Sequence, residues 1–323
     1  MNFRIILQFV FLILLYQNAS AQHEKSIIIQ PGECWYGMGS GLGPRLPIKS
    51  DTPDRTFRSL GFDLGGQYLI SSHGRYIWCD KSYTLEKKDS MMIVSCNRAD
   101  IELGENGNTL RDAYMAVSKH FPPSGKTPPE EFFIFPTYNT WIELGYKQNQ
   151  RGVMDGYQFT CPDMIGGGLI STFENVKEDE FDPTLIIRSC QIHSMMPMMQ
   201  FSLAPWRILK PEHMAIIRKY SELHVQMGPY IKEQTLKAAQ TGEPIVRHMD
   251  YEFPGEGFEA VTDQYMLGDR YLVAPVYTSG EERSVRLPRG RWRDEQGKIY
   301  KGGKTYTIAV PLDRLPYFER IRK

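Results

Sequence analysis

The chain changes texture twice, and that order constrains its fold more than any other feature. Residues 26 to about 120 carry short runs such as QYLI, RYIWC and SMMIVSC, rich in β-branched and aromatic residues. Ser-His-Gly, Lys-Lys-Asp and Gly-Glu-Asn-Gly interrupt them, the residue types that reverse a chain between strands. From EPIVRHM onward the β texture returns in DRYLVAPV, RSVRLPRGRWRD and KTYTIAVPL, separated by Gly and Pro turns that include Gly302-Gly303. Only the centre is mixed. This order predicts α/β plus all-β architecture: an N-terminal β-sandwich over residues 22–122, an α/β segment over 123–243 and a C-terminal β-sandwich domain over 244–323.

The centre opens after a helix, TLRDAYMAVSKHF (109–121), and a Pro-rich linker, PPSGKTPP. EFFIFPTYNTWIELGY reads as an apolar strand with a polar end, and GYQFTC as a second, short strand. PTLIIRSCQIHS reads as a helix. PEHMAIIRKYSELHVQM is another, with Pro211 at its first position, broken at Gly228-Pro229 and followed by a further helix to about Gln240.

One acid in this region stands out. In FTCPDMIGGG, Asp163 lies between a proline and three glycines, at the end of the strand GYQFTC. Proline and glycine exclude a helix interior, so Asp163 is on a loop at a strand end, where α/β proteins gather ligand contacts. An Asx turn capping the next segment is the other reading.

Formal charge is zero, with 41% hydrophobic and 24% charged residues. There is no electrostatic footprint for nucleic acid or an anionic membrane. The N-terminus, MNFRIILQFVFLILLYQNASAQ, has Arg4, an apolar run and Ala19-Ser20-Ala21. That predicts a signal peptide over residues 1–21 and a mature chain that is secreted or lumenal, with a retained signal anchor as the alternative. After its removal no run is long enough to span a bilayer. The sole N-x-S/T sequon, Asn18-Ala19-Ser20, falls inside that peptide, so no N-glycan is expected. Five cysteines (Cys34, Cys79, Cys96, Cys161, Cys190) match no metal-site spacing, and sequence alone gives no pairing. No metal and no cofactor is called for.

Six blocks then align in order: PTYNTWIEL, GYQFTCPDMIGGG, MPMMQFSLAPWR, GEPIVR, DQYMLGDRYLVAPV and the stretch from LPRGRWRD to PYFER. Together they resemble family 31 glycoside hydrolases, in a branch shared by animals and bacteria, over nearly the whole mature chain. The resemblance implies a retaining α-glycosidase on a (β/α)8 barrel, flanked by β domains, acting on an α-linked saccharide or glycoside. It implies that Asp163 binds sugar hydroxyls through charge-assisted hydrogen bonds and that Trp141 lines the sugar site.

The same resemblance exposes a gap. A retaining glycosidase needs two carboxylates about 5 Å apart. In the family both lie between the blocks that match YNTW and PDMIGG, and here that interval is only IELGYKQNQRGVMDGYQFTC. GFDLGG (61–66) imitates the nucleophile motif but lies in the N-terminal β region, and Asp155 in RGVMDGYQ reads as a turn residue. Length agrees: 109 residues run from Phe132 to Gln240, whereas such a barrel takes about 250. No catalytic residue can be assigned, and the barrel is expected to be incomplete. Three readings follow: a family member lacking its central segment and therefore inactive, a non-catalytic lectin-like carbohydrate-binding protein, or a secreted structural protein. Flanks that match the family on both sides of the junction favour the first. Glucoside against galactoside preference and oligomeric state are not legible.

Overall fold

The computed structural model describes residues 23–38, 45–58, 66–97, 99–138, 164–166, 182–202 and 204–321. Eight strands come first: β1 (His23–Ile28), β2 (Trp35–Gly37), β3 (Arg55–Arg58), β4 (Tyr68–Ser71), β5 (Arg75–Cys79), β6 (Thr84–Lys88), β7 (Met91–Cys96) and β8 (Ile101–Glu105). They form two four-stranded antiparallel sheets, ordered β1-β7-β6-β3 and β2-β4-β5-β8. Period-2 patterning decides which face is inside. In β7, Met92, Val94 and Cys96 are buried while Met91, Ile93 and Ser95 are not. These residues join Trp35, Phe57, Leu69, Ile77 and Leu85 in one cluster drawn from both sheets. The turn signals fall where the sequence puts them. Asp89, at φ +52, closes the β6–β7 hairpin, and Gly74, at φ +79, closes β4–β5. A side chain at Gly74 would meet the Gly107 carbonyl at 2.5 Å, so the position needs glycine for space as well as for φ.

A buried ion pair stiffens this unit. Arg75 Nε donates to Glu33 Oε1 at 2.9 Å, and the Gln30 amide donates to Glu33 Oε2 at 2.8 Å. Burial alone would push the Glu33 carboxyl up, but hydrogen bonds from Arg75, Gln30 and Ser71 outweigh it and hold the group below its ordinary value.

Helix α1 (Leu110–Val117) starts at a capping box: Thr109 accepts from the Asp112 amide, and Asp112 accepts from the Thr109 amide. It ends four residues before the predicted stop, in a 3-10 turn (Ser118–His120). Its buried face meets β4 and β5 through Leu110, Ala113, Tyr114 and Val117.

The centre departs from the sequence reading in two places. EFFI is a short helix, α2 (Glu131–Ile134), and the strand β9 (Thr137–Tyr138) begins only past Pro136. The cause is local: the residue before a proline is driven out of the helical region, and Phe135 sits at φ −124, ψ 143. Helix α3 (Pro183–Ser194) is capped by Asp182, whose side chain accepts from the Thr184 amide at 2.9 Å. Strand β10 (Gln200–Phe201) and a 3-10 turn (Pro205–Arg207) lead into α4 (Pro211–Thr241). That helix is one 31-residue element, not two. Pro229 costs an interior hydrogen bond, about 3 kcal/mol. Yet Ile217, Tyr220, His224, Met227, Ile231, Thr235 and Ala238 form a buried face that continues across it. Packing overrides the break. Gly228 serves the same contact, since a Cβ there would sit 3.3 Å from Ile134 Cβ.

The C-terminal unit comprises β11 (Val246–Arg247), helix α5 (Met249–Glu252), β12 (Tyr265–Leu267), β13 (Tyr271–Val273), β14 (Glu282–Leu287), β15 (Arg291–Asp294), β16 (Ile299–Lys301), β17 (Lys304–Ala309) and β18 (Tyr317–Ile321). Six strands form one sheet, β11-β12-β13-β18-β15-β16, and β14 pairs with β17. Trp292, Phe258, Phe318 and Leu287 fill its core, and the Trp292 indole N–H finds the Pro288 carbonyl at 2.8 Å.

This unit clamps the central helices. Arg188 of α3 donates to the carbonyls of Arg314 and Val310 (2.8 and 2.7 Å), and Gln191 donates to that of Leu312. From α4, the Tyr220 hydroxyl donates to the Asp313 carbonyl and accepts from the Leu315 amide. The clamp fixes the two helices beneath the strands described next.

Candidate functional site

Three segments meet in parallel at the centre. β10 pairs with β9 in register Gln200 to Thr137 and Phe201 to Tyr138, and on its other side bridges Ile165. The Ile165 amide donates to the Gln200 carbonyl at 2.8 Å, and the Ser202 amide donates to the Ile165 carbonyl at 3.1 Å. The spatial order is therefore 137–138, 200–201, 165. The segment that comes last in the chain lies between the other two. Parallel strands place their carboxyl ends together, and in α/β folds that edge collects ligand-binding groups.

Five residues beyond the end of β10, Trp206 is 69% exposed on the Pro205–Arg207 turn. An indole this open is unusual for an apolar ring beside a packed core, and its flat face suits stacking on a sugar ring. On the 164–166 segment, Met164 and Ile165 are buried and Gly166 takes φ +77, turning the chain away after the bridge. Ser202 is buried as well, and its hydroxyl finds no partner among the described residues.

The histidines below this edge are structural. His224 is fully buried, with Nδ1 3.3 Å from the Ser194 carbonyl, and burial lowers its imidazole to about 4. His193 places Nδ1 2.7 Å from the Ser189 carbonyl within its own helix. Neither is placed to transfer protons with a substrate.

One described carboxylate, Asp250, is shifted upward. Burial, then the nearby charge of Glu259, raises Asp250 to about 7. A perturbed carboxyl is a common sign of catalysis. However, Asp250 is only 2% exposed and lies on α5 beside His248. The His248 ring packs 4.6 Å from that of Tyr36, against sheet β2-β4-β5-β8. His248 Nδ1 accepts from the Asp250 amide, and burial lowers its imidazole to about 4. A substrate has no access to this pair. The cluster belongs to the packing between α5 and the N-terminal sheets.

Asp163 and Trp141, the two sugar-contacting residues predicted from sequence, lie outside the described residues, as do Asp155 and residues 61–65 of GFDLGG. The structure describes their neighbours. Met164 and Ile165, which follow Asp163, and Tyr138, three residues before Trp141, all belong to the parallel array. Trp206 lies within MPMMQFSLAPWR, a block whose sequence assigns it no role. An aromatic directly after an Ala-Pro turn at a strand end was the available signal. Among the described residues no group of side chains is arranged to hold a metal ion, and no helix is long and apolar enough to cross a membrane.

Comparisons with known proteins converge on one family. Residues 242–321 match the glycosyl hydrolase family 31 C-terminal domain. A myogenesis-regulating glycosidase of Mus musculus is 36% identical over 172 residues, covering 51% of this chain and 24% of that protein. An isomaltosyltransferase of Sporosarcina globispora is 37% identical over 318 residues, covering 88% of this chain and 29% of that protein. The chain thus spans less than a third of the length of either relative. A cycloalternan-degrading enzyme from Trueperella pyogenes, solved with cycloalternan, shares the fold with a TM-score of 0.69 at 13% identity, over 94% of this chain and 78% of that one. The C-terminal match, the relatives that extend it upstream and the shared fold agree: residues 242–321 match the C-terminal domain of glycosyl hydrolase family 31, and the chain as a whole is similar to proteins of that family.

Proposed function

We propose that this chain carries the sugar-binding edge of a retaining α-glycosidase but not its catalytic carboxylates, so that it binds α-linked glycosides without hydrolysing them. The observation that carries this reading is the order 137–138, 200–201, 165. A closed barrel is completed when its last strand pairs with its first, and the last strand then lies between the first and the next-to-last. The three segments have that order, so they are read as the closing seam of a (β/α)8 barrel whose middle strands are missing. The flanking sheets are read as the N-terminal and C-terminal β-sandwich domains of the same architecture, and the N-terminal leader as a signal for the secretory pathway.

In this reading Asp163 approaches the sugar from the segment on one side of β10, Trp141 from the strand on its other side, and Trp206 from the turn that follows β10 itself. A carboxylate hydrogen-bonded to two adjacent hydroxyls orients the ring, and stacking holds it. The nucleophile and acid/base would come from the segment absent between Trp141 and Gly156, where only 14 residues intervene.

The test restores that segment from the full transcript. The restored protein should hydrolyse an aryl α-glucoside or α-galactoside with retention at the anomeric carbon. Asp163→Asn should then lower kcat/KM by at least ~10-fold, since charge-assisted bonds of about 1.5–3 kcal/mol tighten in the transition state. Trp141→Ala should act more on KM. Wild-type kinetics in Asp163→Asn would reduce Asp163 to a turn residue.

A further inference from the structure

Cys34, Cys79, Cys96 and Cys190 are all buried thiols. They are divided among three apolar clusters. Cys34 packs with Tyr36, Tyr68 and Ile70. Cys190 lies in the central unit with Ile186, Ile187 and Met195. Cys79 and Cys96 share the third cluster, the one between the two N-terminal sheets.

The backbone explains why these two meet. Cys79 ends β5 and lies opposite Ile101 in one sheet, while Cys96 ends β7 and lies opposite His23 in the other. After Cys79 the chain turns and returns as β6, whose Thr84 pairs with Ser95. That register places Cys96 at the mouth of the turn that Cys79 opens, with its sulfur 3.5 Å from the Ser82 carbonyl. Strand alternation points both side chains inward, at 0% and 2% exposure. Both lie in the same apolar cluster, and the neighbouring Cys96 thiol adds to the rise that burial gives Cys79.

We propose that Cys79 and Cys96 form a disulfide that ties the two facing N-terminal sheets together. The bond forms as each thiol loses its proton and the pair loses two electrons. A small-molecule or protein disulfide, such as oxidised glutathione, takes up both and leaves as two thiols. Burial raises the Cys79 thiol to about 11, so little thiolate exists once the core has closed. The exchange therefore belongs to the folding chain, before the sheets seal the pair from solvent. Two reduced cysteines packed as small apolar groups are the competing arrangement.

The test refolds the reduced full chain from denaturant in a buffer of reduced and oxidised glutathione. Residual thiols are alkylated in denaturant without reductant, and the digest is mapped by mass spectrometry. In most molecules the Cys79 and Cys96 peptides should appear as one linked species, lighter by two hydrogens than their sum, with Cys34 and Cys190 alkylated. In Cys79→Ser, Cys96 should become alkylated, and Cys96→Ser should free Cys79. As a packing control, a Cys79→Val, Cys96→Val double variant should melt at the same temperature with and without reductant, while the linked wild type should lose several degrees on reduction. Alkylation of both residues in most refolded wild-type molecules would overturn the proposal. So would a dominant link from either one to Cys34, Cys161 or Cys190.

Discussion

Ile165 and Phe201 are partners in a parallel bridge, although helix α3 lies between them in the chain. Phe201 is paired on its other side with Tyr138. The segment that comes last in the chain is thus flanked on both sides by earlier ones, and the helices clamped by the C-terminal unit pack in the same apolar cluster as Phe201.

The bridge has a direct dynamic consequence. The amides of Ile165 and Ser202 are both committed to it. Hydrogen exchange should show them protected well beyond the neighbouring turn amides. Phe201→Ala, which removes a buried ring from the central cluster, should cost about 3–5 kcal/mol in urea unfolding and expose both amides to rapid exchange. Rapid exchange in the wild type would mean that the seam does not persist in solution.

Trp206 should separate binding from stability. Because its ring is exposed, Trp206→Ala should change unfolding free energy by no more than about 0.5 kcal/mol. In the protein with its segment restored, the same change should weaken α-glycoside binding by roughly 10-fold, since loss of a stacking partner costs about 1.5 kcal/mol. Titration calorimetry of both proteins checks this, and equal affinities would make the indole a bystander.

Arg75→Met should strand a buried carboxylate. Removing one member of a buried ion pair costs about 3–5 kcal/mol, because Glu33 keeps its desolvation and loses its partner. The double variant Glu33→Gln, Arg75→Met should recover much of that loss. Sign matters on the acid side. The Glu33 carboxyl is held below its ordinary value of 4.5, so its stabilisation is present above that pH and is lost as pH falls through the folded value. That acid-side loss should disappear in the double variant when urea midpoints are compared across pH.

Asp250 and the two buried histidines oppose each other in pH dependence. The folded value of Asp250, about 7, lies above its ordinary 3.8, so its contribution falls as pH rises from about 4 to 7. His224 and His248, both near 4 against an ordinary 6.5, do the reverse, and stability rises with pH from 4 to 6.5. Asp250→Asn should therefore steepen the rise in melting temperature over that range. At pH 8 the variant should be more stable than the wild type, by at most about 4 kcal/mol if the whole shift is expressed. An unchanged pH profile would show that Asp250 is ionised and paired in solution.

The β units were legible because alternation and turn residues are local signals. SMMIVSC, with its Met92-Val94-Cys96 inward stripe, and the turns at Gly74 and Asp89 lie where the pattern puts them. The centre was less legible where tertiary contacts overrule local preference. Gly228-Pro229 reads as a stop, but a buried face on both sides carries α4 through it. EFFI has strand-like composition, yet it packs as a helical turn with Phe133 buried and Ile134 against α4. Sequence resemblance supplied the candidate sugar contacts Asp163 and Trp141. It could not show that β10 lies between its two parallel partners, because spatial order is a long-range property. Nor could spacing show which cysteines share a core.

Hydrolysis by the purified 323-residue chain tests the central reading most directly. In the proposed reading no carboxylate pair forms and releases a glycosyl-enzyme intermediate, so the phenol of aryl α-glucosides and α-galactosides should be released at the rate of buffer alone. Turnover that follows the chain through purification and persists in Asp163→Ala would contradict it, and would place a working active site elsewhere in the molecule.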